Sequence, residues 1–238
     1  MLSESIPSEG GDIELAITTL QSFAIDPSIS IAMQNVSVGL ILASVSVQES
    51  SPTLLDLLDN VCNTLRSEIN AERLSDVAQI AATRKAYRTL GKDPGRYRGA
   101  AEALVRRLVS GKPLYHINNV VDINNLVSLQ FLHPVGSYDA EKIHGEIRFR
   151  LGLLSESYEG IGKHVINTES LPVLADMNGA FGSPTSDSER TKIVPETRLI
   201  LTAIMSFLGP QRLEECVHST SALLRRFADA CVIQERIC

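Results

Sequence analysis

The run at residues 36–47, VSVGLILASVSV, constrains the fold most. It is β-branched, alternates in part at both ends and is continuously apolar at its centre. That pattern reads as a strand buried on both faces at its middle, which needs cover on both sides. Interrupted by serines and a glycine, the run is too short to span a bilayer.

Helices flank this strand in the pattern. Residues 22–47 as a whole read as strands. Ser51 before Pro52 is an N-cap followed by a first-turn proline. Leu54, Leu58, Val61, Leu65 and Ile69 then set out an amphipathic helix over 52–69. A second helix, about 75–90, has Val77, Ile80, Ala81 and Tyr87 on its stripe, with Arg84 placed inside it. An arginine there either snorkels or is aimed into a polar pocket. Asp93 and Pro94 cap a third helix with a stripe of Tyr97, Ala101, Leu104, Val105 and Leu108, closed by Gly111. Its outer face is expected to carry Arg98, Glu102 and Arg106 at i, i+4. Further on, Asp122 is the expected N-cap of a short helix over 123–132. Residues 147–151 alternate as a strand, and 165–166 and 173–176 are further short strands. Residues 177–192 read as a long polar loop, with helices over 195–208 and about 212–230. One domain over 1–238 is expected, α+β in class, with residues 1–13 loosely ordered, a helical part over 52–112, strands and loops over 113–192 and helices over 195–230.

Composition excludes several classes. A hydrophobic share of 44% excludes intrinsic disorder. The first residues, MLSESIPSEGGDIE, have neither the basic nor the apolar region of a signal peptide. Cys62, Cys216, Cys231 and Cys238 are far apart and lack C-x-x-C spacing, so they read as reduced thiols in a cytoplasmic protein. No phosphate-binding glycine motif, zinc motif or hydrolase elbow occurs, and the five histidines share no metal-ligand spacing with cysteine or carboxylate. No metal, nucleotide or other cofactor is expected.

Charge is uneven. Residues 84–112 hold nine basic side chains against two acidic ones, a local charge of +7 on a chain of net charge −6. Arg84, Lys85, Arg88, Lys92, Arg96, Arg98, Arg106 and Arg107 are therefore the candidate RNA-binding residues, with Tyr87 and Tyr97 interleaved where bases could stack. The plain alternative is a pair of helices with solvated basic faces.

Three segments carry a resemblance. They are RKAYRTLGKDPGRYR at 84–98 with its continuation through Arg107, INNVVDINN at 117–125 with its continuation to Pro134, Tyr138 and Asp139, and DMNGAFGSPTSDSERT at 176–191. The second resembles the "INNVVDVTNYV…PxHAFD" signature of the editing module, the B-three/B-four domain, of the phenylalanyl-tRNA synthetase beta chain. The first and third are similar to free-standing single-domain members of that family, and together the match spans about residues 20–230.

The resemblance implies a three-layer β/β/α fold without the aminoacylation machinery of a complete synthetase. It implies ester hydrolysis of a mischarged tRNA, tyrosine on phenylalanine tRNA or a related species, with bound water as nucleophile. The expected partners are a tRNA 3′ end and an aromatic amino acid moiety, and no membrane. Asn125, Asp187, Ser188 and Arg190 are the candidate catalytic residues. Asn118, Asn119, Asp122, Asn124, Gly136, Asp176, Ser186 and Thr191 are the candidate substrate-binding residues. The chain departs from the signature at Gly136, which stands at its histidine, and at Asn124, which stands at its threonine. Ala203 falls where the family carries a carboxylate for the tyrosine hydroxyl. The alternatives are a non-catalytic RNA- or amino-acid-binding module that kept the fold, or a hydrolase of a small ester or amide unrelated to tRNA.

Overall fold

The computed structural model describes residues 20–70, 72–162 and 165–238; the loosely ordered end expected at residues 1–13 lies outside them. In chain order the elements are β1 (Ala24–Ile25), α1 (Pro27–Ala32), β2 (Ser37–Ser44), α2 (Pro52–Glu68), α3 (Ala78–Thr89), α4 (Ala100–Val109), α5 (Asn119–Phe131), β3 (Val135–Asp139), β4 (Arg148–Leu151), β5 (Ser157–Glu159), β6 (Val165–Asn167), β7 (Pro172–Asp176), β8 (Gly179–Gly182), β9 (Leu199–Ser206), α6 (Leu213–Phe227) and β10 (Cys231–Ile237).

The strand at the centre of the sequence argument is β2, and it lies inside a four-stranded antiparallel sheet ordered β10-β2-β9-β3. Its side chains alternate between two cores. Ile41 and Ala43 join Ile200 and Ile204 of β9 in a core with Leu54 and Leu58 of α2, Val105 of α4, Val120 and Val127 of α5 and Val217 of α6. Val38, Leu40 and Leu42 join Leu201 and Met205 in a second core with Phe149, Leu174 and Phe181. Those three belong to a second four-stranded sheet, ordered β1-β4-β7-β8, while β5 and β6 pair as a separate hairpin. The result is an α+β fold in three layers: helices, central sheet, outer sheet. Gly39 lets α6 lie close on the central sheet, since a Cβ there would come within 2.6 Å of Val217 Cγ2.

Several elements differ from the sequence reading. Within 22–47, residues Pro27–Ala32 turn as a helix because Asp26 accepts from Ser28 N at 2.9 Å and Pro27 opens the turn. The helix expected over 195–208 is the central strand β9. Its eight residues are all buried, paired to β2 on one side and β3 on the other. The last helix ends at Phe227, and Cys231–Ile237 pairs antiparallel with β2. Residues 195–230 are therefore strand then helix, with a further strand after them. The helix of 123–132 starts earlier, at Asn119, with Asn118 as its cap. The third helix starts at Ala100, and Asp93 instead closes a turn, accepting from Gly95 N at 2.8 Å. The polar loop of 177–192 contains β8.

Candidate functional site

The asparagine string at the start of α5 stitches the fold. Asn118 Oδ1 accepts from Val121 N at 2.9 Å and caps the helix. Asn119 is fully buried; its amide donates to the carbonyls of Ser46 and Phe227, and its oxygen accepts from Gln48 N and Val120 N. Asp122, also fully buried, is not the cap. It accepts from Ser50 Oγ at 2.6 Å, with His116 Nδ1 at 3.4 Å. Asn124 Oδ1 accepts from Ser137 Oγ at 2.9 Å, and Ser137 bonds Thr202 at 2.7 Å. All four candidates thus bond the chain itself, and only Asp122 Oδ1 is left buried without a hydrogen-bond partner among the described residues. Asn125 is half-buried within α5, and its side chain makes no hydrogen bond with the described residues.

Alternation along β3 splits the candidates. Ser137 and Thr202 face Asn124 on the helix side of the central sheet. Gly136, its register partner Ala203, and Tyr138 face the outer sheet. There the Tyr138 hydroxyl lies over Gly136 and Gly182, so that a Cβ on either glycine would collide with it. It donates to Asp187 Oδ1 at 2.7 Å, and its ring meets Phe181 edge-on at 5.0 Å. Burial, then the Asp187 charge, holds the phenol well above its usual range. Gly136 and Asp187 are brought together, but around the chain's own tyrosine.

Two more buried phenols brace the same loop. Tyr87 pairs with Thr185 Oγ1 at 2.6 Å. Tyr158 donates to the Ser186 carbonyl, with Ser183 Oγ at 3.3 Å. Burial raises both phenols. Tyr87 is therefore closed to any base, contrary to the stacking role its position suggested. Beyond the loop, Ser188 Oγ caps the turn at Glu189–Thr191, accepting from Arg190 N at 3.2 Å. Arg190 makes a forked pair with Asp176, 2.8 and 2.9 Å, and donates to the Lys142 carbonyl. Thr191 is buried.

Ser188 and Arg190 line a cleft of about 520 Å³ with Glu156, Tyr158, Glu159 and Glu189. Burial raises the Glu156 carboxyl, but the forked Arg150 bonds at 2.7 Å and backbone donors outweigh it and hold it below the usual range. Among the described residues no nucleophile–base pair is assembled there. His133 is buried and faces Arg212; burial first, then that charge, lowers it to about 4. Among the described residues no three His, Cys, Asp or Glu side chains gather as a metal-ion site, and no helix is long and apolar enough to cross a membrane.

The basic region is a helical pair fixed to the phenol-braced loop, through Tyr87 and through Ala100 N donating to the Pro184 carbonyl at 2.7 Å. Lys85, Arg88 and Arg96 are exposed. Lys92 and Arg96 flank the half-buried Tyr97 ring at 5.4 and 5.6 Å. Arg107 lies on Tyr115 at 4.1 Å. Glu102 is not on an outer face; it is buried, with Arg84, Arg98 and Arg106 around it. Tyr138, Tyr158, Ser137 and Thr202 were not singled out as polar groups by the sequence, because single hydroxyls on three separate strands share no spacing and meet the other candidates only through tertiary packing.

Fold and site together define a three-layer α+β module whose strongly basic helical pair is anchored to an inter-sheet loop. Residues 82–224 match the B3/4 domain, and the chain belongs to that family. It is 29% identical over 124 residues to the phenylalanine–tRNA ligase beta subunit of Fusobacterium nucleatum, a match covering 50% of this chain and 15% of that subunit. A solved structure, an N-terminal fragment of the phenylalanyl-tRNA synthetase beta subunit from Pyrococcus horikoshii, matches with a TM-score of 0.43 and 12% identity, over 90% of this chain and 49% of that one. The chain thus spans a minor part of each relative.

Proposed function

We propose that the chain recognises the acceptor end of a tRNA, as a binding module that keeps the B3/4 fold without its editing chemistry. One observation carries this reading: Asp187, the candidate at the centre of the site, is engaged by the chain's own Tyr138, while Lys85, Arg88 and Arg96 stay exposed. Ser188 and Arg190 likewise hold local structure, capping a turn and pairing with Asp176. Phosphate contacts by the exposed cations supply affinity that falls with salt. The test is deacylation of a panel of mischarged tRNAs, tyrosine on phenylalanine tRNA included, at substoichiometric protein. Binding of the panel without turnover is expected; turnover of any member refutes the non-catalytic reading.

Asn125 favours a second reading, hydrolysis of the aminoacyl ester. It keeps the residue of the editing signature and has no partner among the described residues, so its amide is available to orient a water. Turnover lost in Asn125→Ala would establish this reading.

A further inference from the structure

The eight basic candidates are not equivalent. Glu102, in the first turn of α4, is 3% exposed, and three guanidinium groups surround it. Arg84 reaches across from α3 with Nη1 at 2.9 and 3.1 Å from the two carboxylate oxygens. Arg106 Nε donates at 2.7 Å. Arg98 Nε stands at 3.7 Å, too far for a hydrogen bond. One guanidinium neutralises a buried carboxylate. The other two leave the cluster at a formal charge of +2.

The donors are also unevenly used. The Nε–H groups of Arg84 and Arg98 are buried and find no acceptor among the described residues. Their remaining contacts are weak, Arg84 Nη1 to the Pro94 carbonyl at 3.5 Å and Arg98 Nη2 to the Gly95 carbonyl at 3.4 Å. Leaving charged donors buried and unpaired is costly. The side chains are 17%, 39% and 34% exposed for Arg84, Arg98 and Arg106, so the cluster is part desolvated yet open to a ligand. Lys85 and Arg88 are by contrast exposed cations, and Arg96 is exposed beside the Tyr97 ring.

We propose that Arg84, Arg98 and Arg106, gathered by Glu102, form a binding site for a phosphoryl group. A tetrahedral oxyanion offers several acceptor oxygens to forked guanidinium donors and answers the excess charge. Glu102 positions the arginines and does not touch the ligand. A backbone phosphate of RNA is one source of this group, and that source rests on the tRNA-binding reading above; free phosphate or a phosphate monoester is the other.

The experiment measures tRNA binding across a salt series, and inorganic phosphate binding by calorimetry. It uses the wild type, Arg98→Gln, Arg106→Gln and the exposed α2 control Arg66→Gln, with far-UV circular dichroism confirming that each is folded. The expected result is a five- to tenfold loss of tRNA affinity at low salt in each cluster variant, roughly, with the salt slope reduced by about 1. Arg66→Gln is expected to bind as the wild type does, and phosphate to compete with tRNA better than chloride at equal ionic strength. Phosphate binding that the cluster variants weaken, with no tRNA binding, keeps the site, assigns it to a free phosphoryl ligand and overturns the tRNA reading alone. Affinities for both ligands unchanged in the cluster variants overturn the site and leave the tRNA reading standing. Absence of binding to either ligand overturns both.

Discussion

Asn119 makes four hydrogen bonds from a fully buried position, tying the segment after β2 and the end of α6 to the start of α5. Asn119→Ala leaves buried backbone groups unpaired, so we expect it to lower unfolding free energy by about 2–4 kcal/mol in urea melts. Asn118→Ala removes only a helix cap and is expected to cost ~1 kcal/mol. An equal, small effect of both would contradict the stitching role. His133 gives a pH dependence. Buried and facing Arg212, it takes its proton only at about 4, against an ordinary value of 6.5 in the unfolded chain. Its depressed value means the unfolded state binds the proton first as pH falls. The stability it contributes is full above 6.5 and is lost progressively from there down to about 4. At ~1.4 kcal/mol per pH unit, the loss by pH 4 is on the order of 3 kcal/mol. His133→Gln, followed over the same range, is expected to flatten the decline.

At the scale of elements, β3 and β8 are shaped by one phenol. Gly136 and Gly182 leave room for the Tyr138 hydroxyl, and Phe181 and Asp187 complete its surroundings. Gly136→Ala is expected to destabilise by about 1–3 kcal/mol through overpacking. Tyr138→Phe removes the nearest clashing atom, so the double variant should lose less than the sum of the singles; strict additivity would place the hydroxyl elsewhere. The helices α2 to α4 were legible in the sequence because their apolar residues recur at helical spacing, and β2 because its run is β-branched and alternates in part at both ends. The strand β9 was not. Lying between β2 and β3 and covered on both faces, it is apolar almost throughout, and Leu199, Ile200, Ala203, Ile204 and Phe207 then mimic helical spacing. The sequence placed Gly136 and Asp187 in one candidate site, and they do meet. It could not reveal that Tyr138 joins them, nor that the central sheet sets Asn124 on its opposite side, because both follow from tertiary packing.

For the whole molecule, the distribution of charge matters more than its sum. A chain of net charge −6 repels a polyanion at long range, yet its α3–α4 pair carries a concentrated positive face. That face is fixed to the 183–187 loop by Tyr87 and by the bond from Ala100 to Pro184. A tRNA bound to the helices as proposed would therefore have its contact region next to the inter-sheet site. The most direct measurement is the affinity of the wild-type chain for tRNA across 50 to 200 mM salt, roughly the range in which phosphate contacts dominate. The expected result is a log–log line with a steep negative slope, several phosphates' worth, and binding without turnover of the ester. Affinity flat across that range, or no binding at its low end, would contradict it.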